Sequence, residues 1–228
     1  MTLIRIGGFA ALICAGTYLV GFALLVTLLA PLGFGTGQIE PAAVVAFMHE
    51  RPGLMIAWNT TIYVVNALAL AVLVVALAER LAPLPGWANV TRAFGLIWAA
   101  LVLGAGMIAN VGAERAAHLY PTDPQVAAET WSLLHAVELG LGGGNEIAGG
   151  VWILCVSIAA WQARLLPRIA NTLGVLTGLG GLLTIFPPLG DAAGAVFGLG
   201  AIAWFIAVGV ALARSDVDVA EGAGGRVA

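Results

Sequence analysis

The chain has 228 residues, of which 61% are hydrophobic and only 9% charged, with a net charge of −3 and a mean hydropathy of +1.02. A soluble domain carries about 25% charged residues, so a soluble fold is excluded. The lack of a basic stripe excludes a nucleic-acid partner.

Several apolar stretches reach the roughly 20 residues needed to cross a bilayer as helix. The short alternating segments of a β-barrel are absent. The chain therefore reads as all-α: a polytopic membrane helical bundle whose first partner is the lipid bilayer. Six transmembrane helices are expected, approximately at residues 6–30, 54–78, 91–112, 131–161, 169–186 and 192–213. The first apolar run is longer than the 7–15-residue core of a signal peptide, and is read as a retained span.

Between the first two spans, Glu40-Pro41 opens a stretch that ends at Arg51-Pro52-Gly53. Proline is favoured at a first helical position, and proline with glycine stops a helix. This predicts a short outer interfacial helix over 41–50. Before the fourth span, Asp123 is placed to cap a helix that Pro124 starts. Residues 1–214 form a single transmembrane domain, and the Gly-rich acidic segment 215–228 is expected to be a disordered cytoplasmic tail. With the N-terminus inside, seven arginines (5, 80, 92, 164, 168, 214 and 226) fall on the inner side and two (51 and 115) on the outer. The positive-inside rule then puts both termini in the cytoplasm. Glycines recurring every four residues, Gly174 with Gly178 and Gly190, Gly194 with Gly198, mark close helix packing. Most of the tryptophans (58, 87, 98, 131, 152, 161 and 204) fall near span ends and read as interface anchors.

The fourth span carries the densest chemistry. Asn145-Glu146 follows Gly142-Gly143-Gly144 and precedes Gly149-Gly150 inside an apolar run. A carboxylate at such depth costs about 2.5–3.5 kcal/mol by insertion scales, so it must face a partner or water. On a continuous helix, His135, Glu138, Gly142, Asn145, Glu146 and Gly149 share an arc of about 100°. The second span offers Asn59, Tyr63 and Asn66 as one stripe, and the third offers Asn110, Glu114 and His118 at spacings of four. These groups outline a polar cleft open to the outside and floored by Glu146. Its candidate ligand-binding residues are Glu146, Asn145, Glu138, His135, Asn66, Asn59, Tyr63 and Asn110, with Asn66 or Asn110 expected to hydrogen-bond Glu146.

A further reading competes with a purely structural polar face. Glu114-x-x-x-His118 and His135-x-x-Glu138 each put two ligands on one helix face, enough to hold a divalent metal. No Walker loop, nucleophile elbow, dinucleotide fingerprint or C-x-x-C pair occurs, so no other cofactor is evident. Cys14 and Cys155 read as inert buried thiols.

At Leu166-Pro167-Arg168, followed by Gly174 and Gly178, at Ile202-Ala203-Trp204-Phe205-Ile206 with Gly209, and at the opening Arg5-Ile6-Gly7-Gly8, the chain resembles an uncharacterised bacterial family of small six-span integral membrane proteins. The resemblance covers most of the chain in layout. It implies the six-helix fold and residence in the cytoplasmic membrane, and brings with it no activity and no site residue.

The sequence thus favours a protein that binds or transports a small molecule or ion through an intramembrane cleft. A protonatable carboxylate and a Gly-broken helix suit proton coupling and a transporter-like site. Six spans are few for a carrier, and a homo-oligomer would supply the second half. The alternatives are a membrane-embedded metal-dependent enzyme at the outer surface, or an accessory or sensor subunit; the balance leans away from an enzyme.

Overall fold

The computed structural model describes residues 2–34, 38–143 and 146–224, with the backbone alone for 143 and 215–224. Among the described residues the secondary structure is entirely helical. In chain order the α-helices are α1 (Leu3–Leu24), α2 (Pro41–Glu50), α3 (Pro52–Asn59), α4 (Asn66–Arg80), α5 (Pro85–Leu119), α6 (Pro124–Glu138), α7 (Ile147–Ala163), α8 (Arg168–Leu183) and α9 (Gly190–Gly224). Three π-helical turns extend or join them: Leu25–Leu29 after α1, Thr60–Val65 between α3 and α4, and Leu139–Gly143 after α6.

Among the described residues, five helical stretches are long and apolar enough to cross a membrane: Leu3–Leu32, Pro52–Arg80, Pro85–Leu119, Pro124–Ala163 and Pro187–Arg214. The expected fifth span corresponds to α8. Its 16 residues cover about 24 Å at 1.5 Å per residue, against roughly 30 Å of hydrocarbon. Large apolar side chains stay uncovered along these stretches, Val26 at 67% and Leu133 at 68% exposure among them. Lipid, not water, is the solvent that suits such a surface.

Local signals act as their residue types dictate. The α2 bounds coincide with the expected 41–50, with Pro41 in the first turn. Asp123 caps α6, its carboxylate accepting from the amides of Gln125 and Val126 at 3.1 Å each. The last helix continues to Gly224, through much of the stretch whose composition suggested disorder; residues 225–228 lie outside the described ones.

The chain divides into two compact units. The first comprises Met1–Gly16, Leu68–Ala99 and Asn145–Ala228. Its centre is aromatic: Trp98 lies 5.6 Å from Trp152 and 6.3 Å from Phe205, and Trp152 lies 5.4 Å from Trp204, ring centre to ring centre. Trp98, Trp152 and Trp204 are fully buried. This corrects the interface-anchor reading for these three, because nearness to a span end does not say which way a ring faces. Around them α7 and α8 meet backbone to backbone. A Cβ on Gly150 would lie 2.8 Å from the carbonyl oxygen of Gly178, and one on Gly178 would lie 2.8 Å from that of Gly150. Gly174 and Gly178 therefore do the close packing that their spacing announced. Gly190 and Gly194 do not: nothing lies within 4 Å of where their Cβ atoms would be.

The second unit comprises Thr17–Ala67 and Ala100–Gly144. Its core joins Leu29, the buried face of α2 (Val44, Val45 and Met48), Met55 of α3, Ala113 and Ala116 of α5, and Ala127, Ala128 and Trp131 of α6. All three π-turns fall in this unit. Two of them have an evident cause. Thr27 donates its hydroxyl to the carbonyl of Ala23 at 2.6 Å, and Thr61 does the same to Ala57 at 2.8 Å. A hydroxyl bonded four residues back competes for a helical acceptor and bends the helix. The third is glycine-made: Gly142 sits at φ +145°, a conformation that L side chains rarely adopt.

Candidate functional site

Glu138 is the centre of the polar chemistry in the second unit. It closes α6, is 7% exposed, and both of its carboxylate oxygens are engaged. The Tyr63 hydroxyl donates to Oε1 at 2.5 Å, and His135 Nδ1 lies 2.7 Å from Oε2. An ionised carboxylate only accepts, so with Glu138 ionised the second bond needs its proton on Nδ1. His135 and Glu138 meet because they are one helical turn apart. Tyr63 reaches them from the π-turn Thr60–Val65, and Gly106 on α5 makes room, since a side chain there would fall on the Cβ of Tyr63.

Aromatic rings surround the imidazole. Trp131 stacks on His135 at 4.7 Å with planes 12° apart, and Phe34 meets it edge-on at 6.1 Å. Trp58 meets Phe34 edge-on at 5.8 Å. Three buried polar atoms of this unit have no hydrogen-bond partner: His135 Nε2, Trp58 Nε1 and Asn110 Oδ1. Buried polar groups are nearly always bonded, so each of these atoms has a bond to offer to a ligand or water. π-Turns recur at functional sites in helices. Here one carries Tyr63 and another begins directly after Glu138.

The expected site residues separate accordingly. Tyr63, His135 and Glu138 come together. Asn59 is buried at the end of α3. Asn66 donates its amide to Thr17 Oγ1 at 2.7 Å, and Asn110 donates to Thr60 Oγ1 at 3.0 Å; these amide nitrogens serve threonines of their own unit, not Glu146 as anticipated. Asn145 lies outside the described residues. Glu146 belongs to the first unit, where it stands as the residue before α7 without capping that helix through its side chain. Its backbone is clamped instead: its amide donates to Thr184 Oγ1 at 3.1 Å, and its carbonyl accepts from Gly150 at 2.8 Å. The shared arc assumed one uninterrupted helix. The left-handed Gly142 and the fresh start of α7 at Ile147 end the helical phase between Glu138 and Glu146.

The four-ligand metal centre does not form. Glu114 and His118 are exposed and line an open surface groove with Val111 and Arg115. Among the described residues no group of three or more His, Cys, Asp or Glu converges to hold an ion. Spacings of four (Glu114, His118) and three (His135, Glu138) placed each pair on one face, but the two faces do not merge into a cluster.

Sequence reading missed the aromatic surround of His135. Phe34 carried no signal, and Trp58 and Trp131 were read as anchors. The i, i+3 pair His135–Glu138 was the one available clue. Among its described residues the molecule has the build of an all-helical, multi-pass membrane protein with a part-buried Tyr–Glu–His cluster. Comparison with protein families, with curated proteins and with solved structures finds no match.

Proposed function

We propose that the protein is a six-span resident of the cytoplasmic membrane, with both termini inside, that binds and moves a small organic cation in exchange for protons at Tyr63, His135 and Glu138. The carrying observation is that Glu138 is held on both oxygens while the imidazole that holds it has its other nitrogen buried and unpartnered. With Nδ1 protonated toward Glu138, neutral His135 offers Nε2 as an acceptor to a ligand N–H. The faces of Trp131 and Phe34 favour a cationic body, and the carboxylate supplies the counter-charge. Each oxygen of Glu138 keeps a second lone pair for the ligand. A proton on Glu138 cancels that charge, so proton and cation compete for one group, which is the elementary requirement of exchange. A buried ionisable group within a span is by default such a site. The arginine asymmetry supports the orientation. The packing of α8 against α7 and α9 supports its counting as the sixth span despite its length.

The test is proton release on adding a series of aliphatic and aromatic amines to the purified protein in weak buffer, followed with an indicator dye. Wild type should release protons as the amine binds. Glu138→Gln should release none, and Tyr63→Phe should bind more weakly yet still release. Wild-type release from Glu138→Gln, or loss of release in Glu146→Gln instead, would overturn the assignment, as would failure of the wild type to bind any of the series.

A further inference from the structure

We infer that the turn between α7 and α8 is a binding site for the phosphate headgroup of a membrane lipid, one whose headgroup also carries a hydroxyl. A pocket of ≈ 450 Å³ opens there, lined by Trp161, Gln162, Arg164, Leu166, Arg168 and Asn171. Its chemistry is asymmetric. Arg164 and Arg168 are exposed guanidiniums, and among the described residues no carboxylate pairs with either. A third guanidinium reaches the same turn from α4, where Arg80 Nη2 donates to the carbonyl of Leu165 at 3.4 Å. The N-terminus of α8 faces this turn, with Pro167 before its first residue and no side chain capping it. The opening amides of a helix have no acceptor within it and favour an anion.

The second, independent observation is Asn171. It is 2% exposed and belongs to the pocket lining. Its amide nitrogen donates to the carbonyl of Leu166 at 3.2 Å, which fixes the side chain and leaves Oδ1 buried without a partner. An orphan acceptor beside donors selects a ligand that is both anion and hydrogen-bond donor. A phosphodiester bearing a glycerol hydroxyl has that pattern; a bare anion does not. The surroundings favour lipid as its source, because Trp161 (49% exposed) and Ile169 (73%) present apolar surface where acyl chains would lie.

Arg164 also bears a structural mark. It ends α7 at φ +56°, the positive-φ non-glycine residue of the described chain. That left-handed turn lets α8 start four residues later, with Arg168 at its head. Arginines placed only to orient the chain would need neither a pocket nor a buried acceptor. The inference uses the membrane reading and is independent of the Tyr63–Glu138–His135 cluster.

The experiment is lipid retention by the purified full chain, read by native mass spectrometry, after exchange into vesicles of phosphatidylcholine with or without phosphatidylglycerol. Phosphatidylglycerol should be retained over phosphatidylcholine. Arg164→Gln with Arg168→Gln should weaken that retention roughly tenfold, since charge-assisted bonds to phosphate are lost. Asn171→Leu should narrow the preference for phosphatidylglycerol over phosphatidic acid, which lacks the hydroxyl. Arg214→Gln, outside the pocket, controls for general surface charge, and an unchanged melting temperature shows that each variant is folded. Equal loss with Arg214→Gln would overturn the site, as would undiminished retention by the double arginine variant. Displacement of the lipid by inorganic phosphate alone would overturn the lipid source.

Discussion

Gly178→Ala is the sharpest test of how α7 and α8 are joined. The added Cβ would lie 2.8 Å from the carbonyl oxygen of Gly150, 2.8 Å from the Cβ of Leu154 and 3.0 Å from its amide nitrogen. Carbon atoms in good contact stand about 3.5–4.0 Å apart, so the new methyl must push its neighbours back by roughly 0.7 Å or more. Two of the three obstacles are backbone, and no rotamer change moves them aside. The helices must separate or the fold must strain, at about 1–3 kcal/mol. That lowers the folded-to-unfolded ratio by about 5- to 150-fold. Gly194→Ala makes the matched control in α9. Nothing lies within 4 Å of its Cβ, and alanine improves on glycine in a helix by up to about 1 kcal/mol. The same chemical change should thus destabilise at one position and stabilise at the other. The assay is unfolding in mixed micelles, followed by the fluorescence of the buried tryptophans. If Gly178→Ala unfolds at the same denaturant fraction as Gly194→Ala, the backbone contact between α7 and α8 is not as described.

Asp123→Ala removes the acceptor of two amide bonds at the head of α6 and should cost about 0.5–2 kcal/mol; Asp123→Asn should recover most of it in the same unfolding assay, and equal losses for both would show that the cap is not the cause. In a Cys14→Ala, Cys155→Ala background, cysteines at Asn89 and Ser215 should react with an impermeant maleimide only after the inner face is opened, while one at Thr122 should react from outside. Labelling of Thr122 from the inner face alone would invert the proposed orientation.

What the sequence made legible is what short stretches of chain decide. Pro41 and Asp123–Pro124 set helix starts through their own backbone restrictions and through amide donors two or three residues away, so the bounds of α2 and the cap of α6 could be read directly. The pairing of Tyr63 with Glu138 spans 75 residues, and no local pattern encodes it. Trp152 and Trp204 illustrate a second limit. A helix in lipid has no polar face to declare which side is buried, since hydrocarbon is as apolar as a core, and α7 is apolar on every side. The glycine repeat shows both outcomes: Gly174 and Gly178 pack, while Gly190 and Gly194, with the same spacing, face open space. The emphasis on Glu146 rested on extending one helical wheel through Gly142, where a left-handed residue ends the phase. Depth and glycines correctly marked a break in the helix. They did not show that the better-connected carboxylate lies before the break.

The three π-turns make residue count, and not only residue identity, part of the design of the second unit. A turn that closes five residues ahead holds one more residue than the α-turn it replaces. Deleting a single position between Thr60 and Val65 would let that turn relax to α-helical spacing with its hydrogen-bond ladder intact. The helices on either side would keep their relative rotation, because the turn sheds the one residue it holds in excess of an α-turn; what would move is the turn itself. Tyr63 lies inside the turn and would lose the position from which it meets Glu138, while Asn66 at the head of α4 kept its own. The extra residue stored in this helix acts as a local offset. It sets the aim of the Tyr63 hydroxyl as firmly as any side chain beside it, and it would be invisible to a substitution scan.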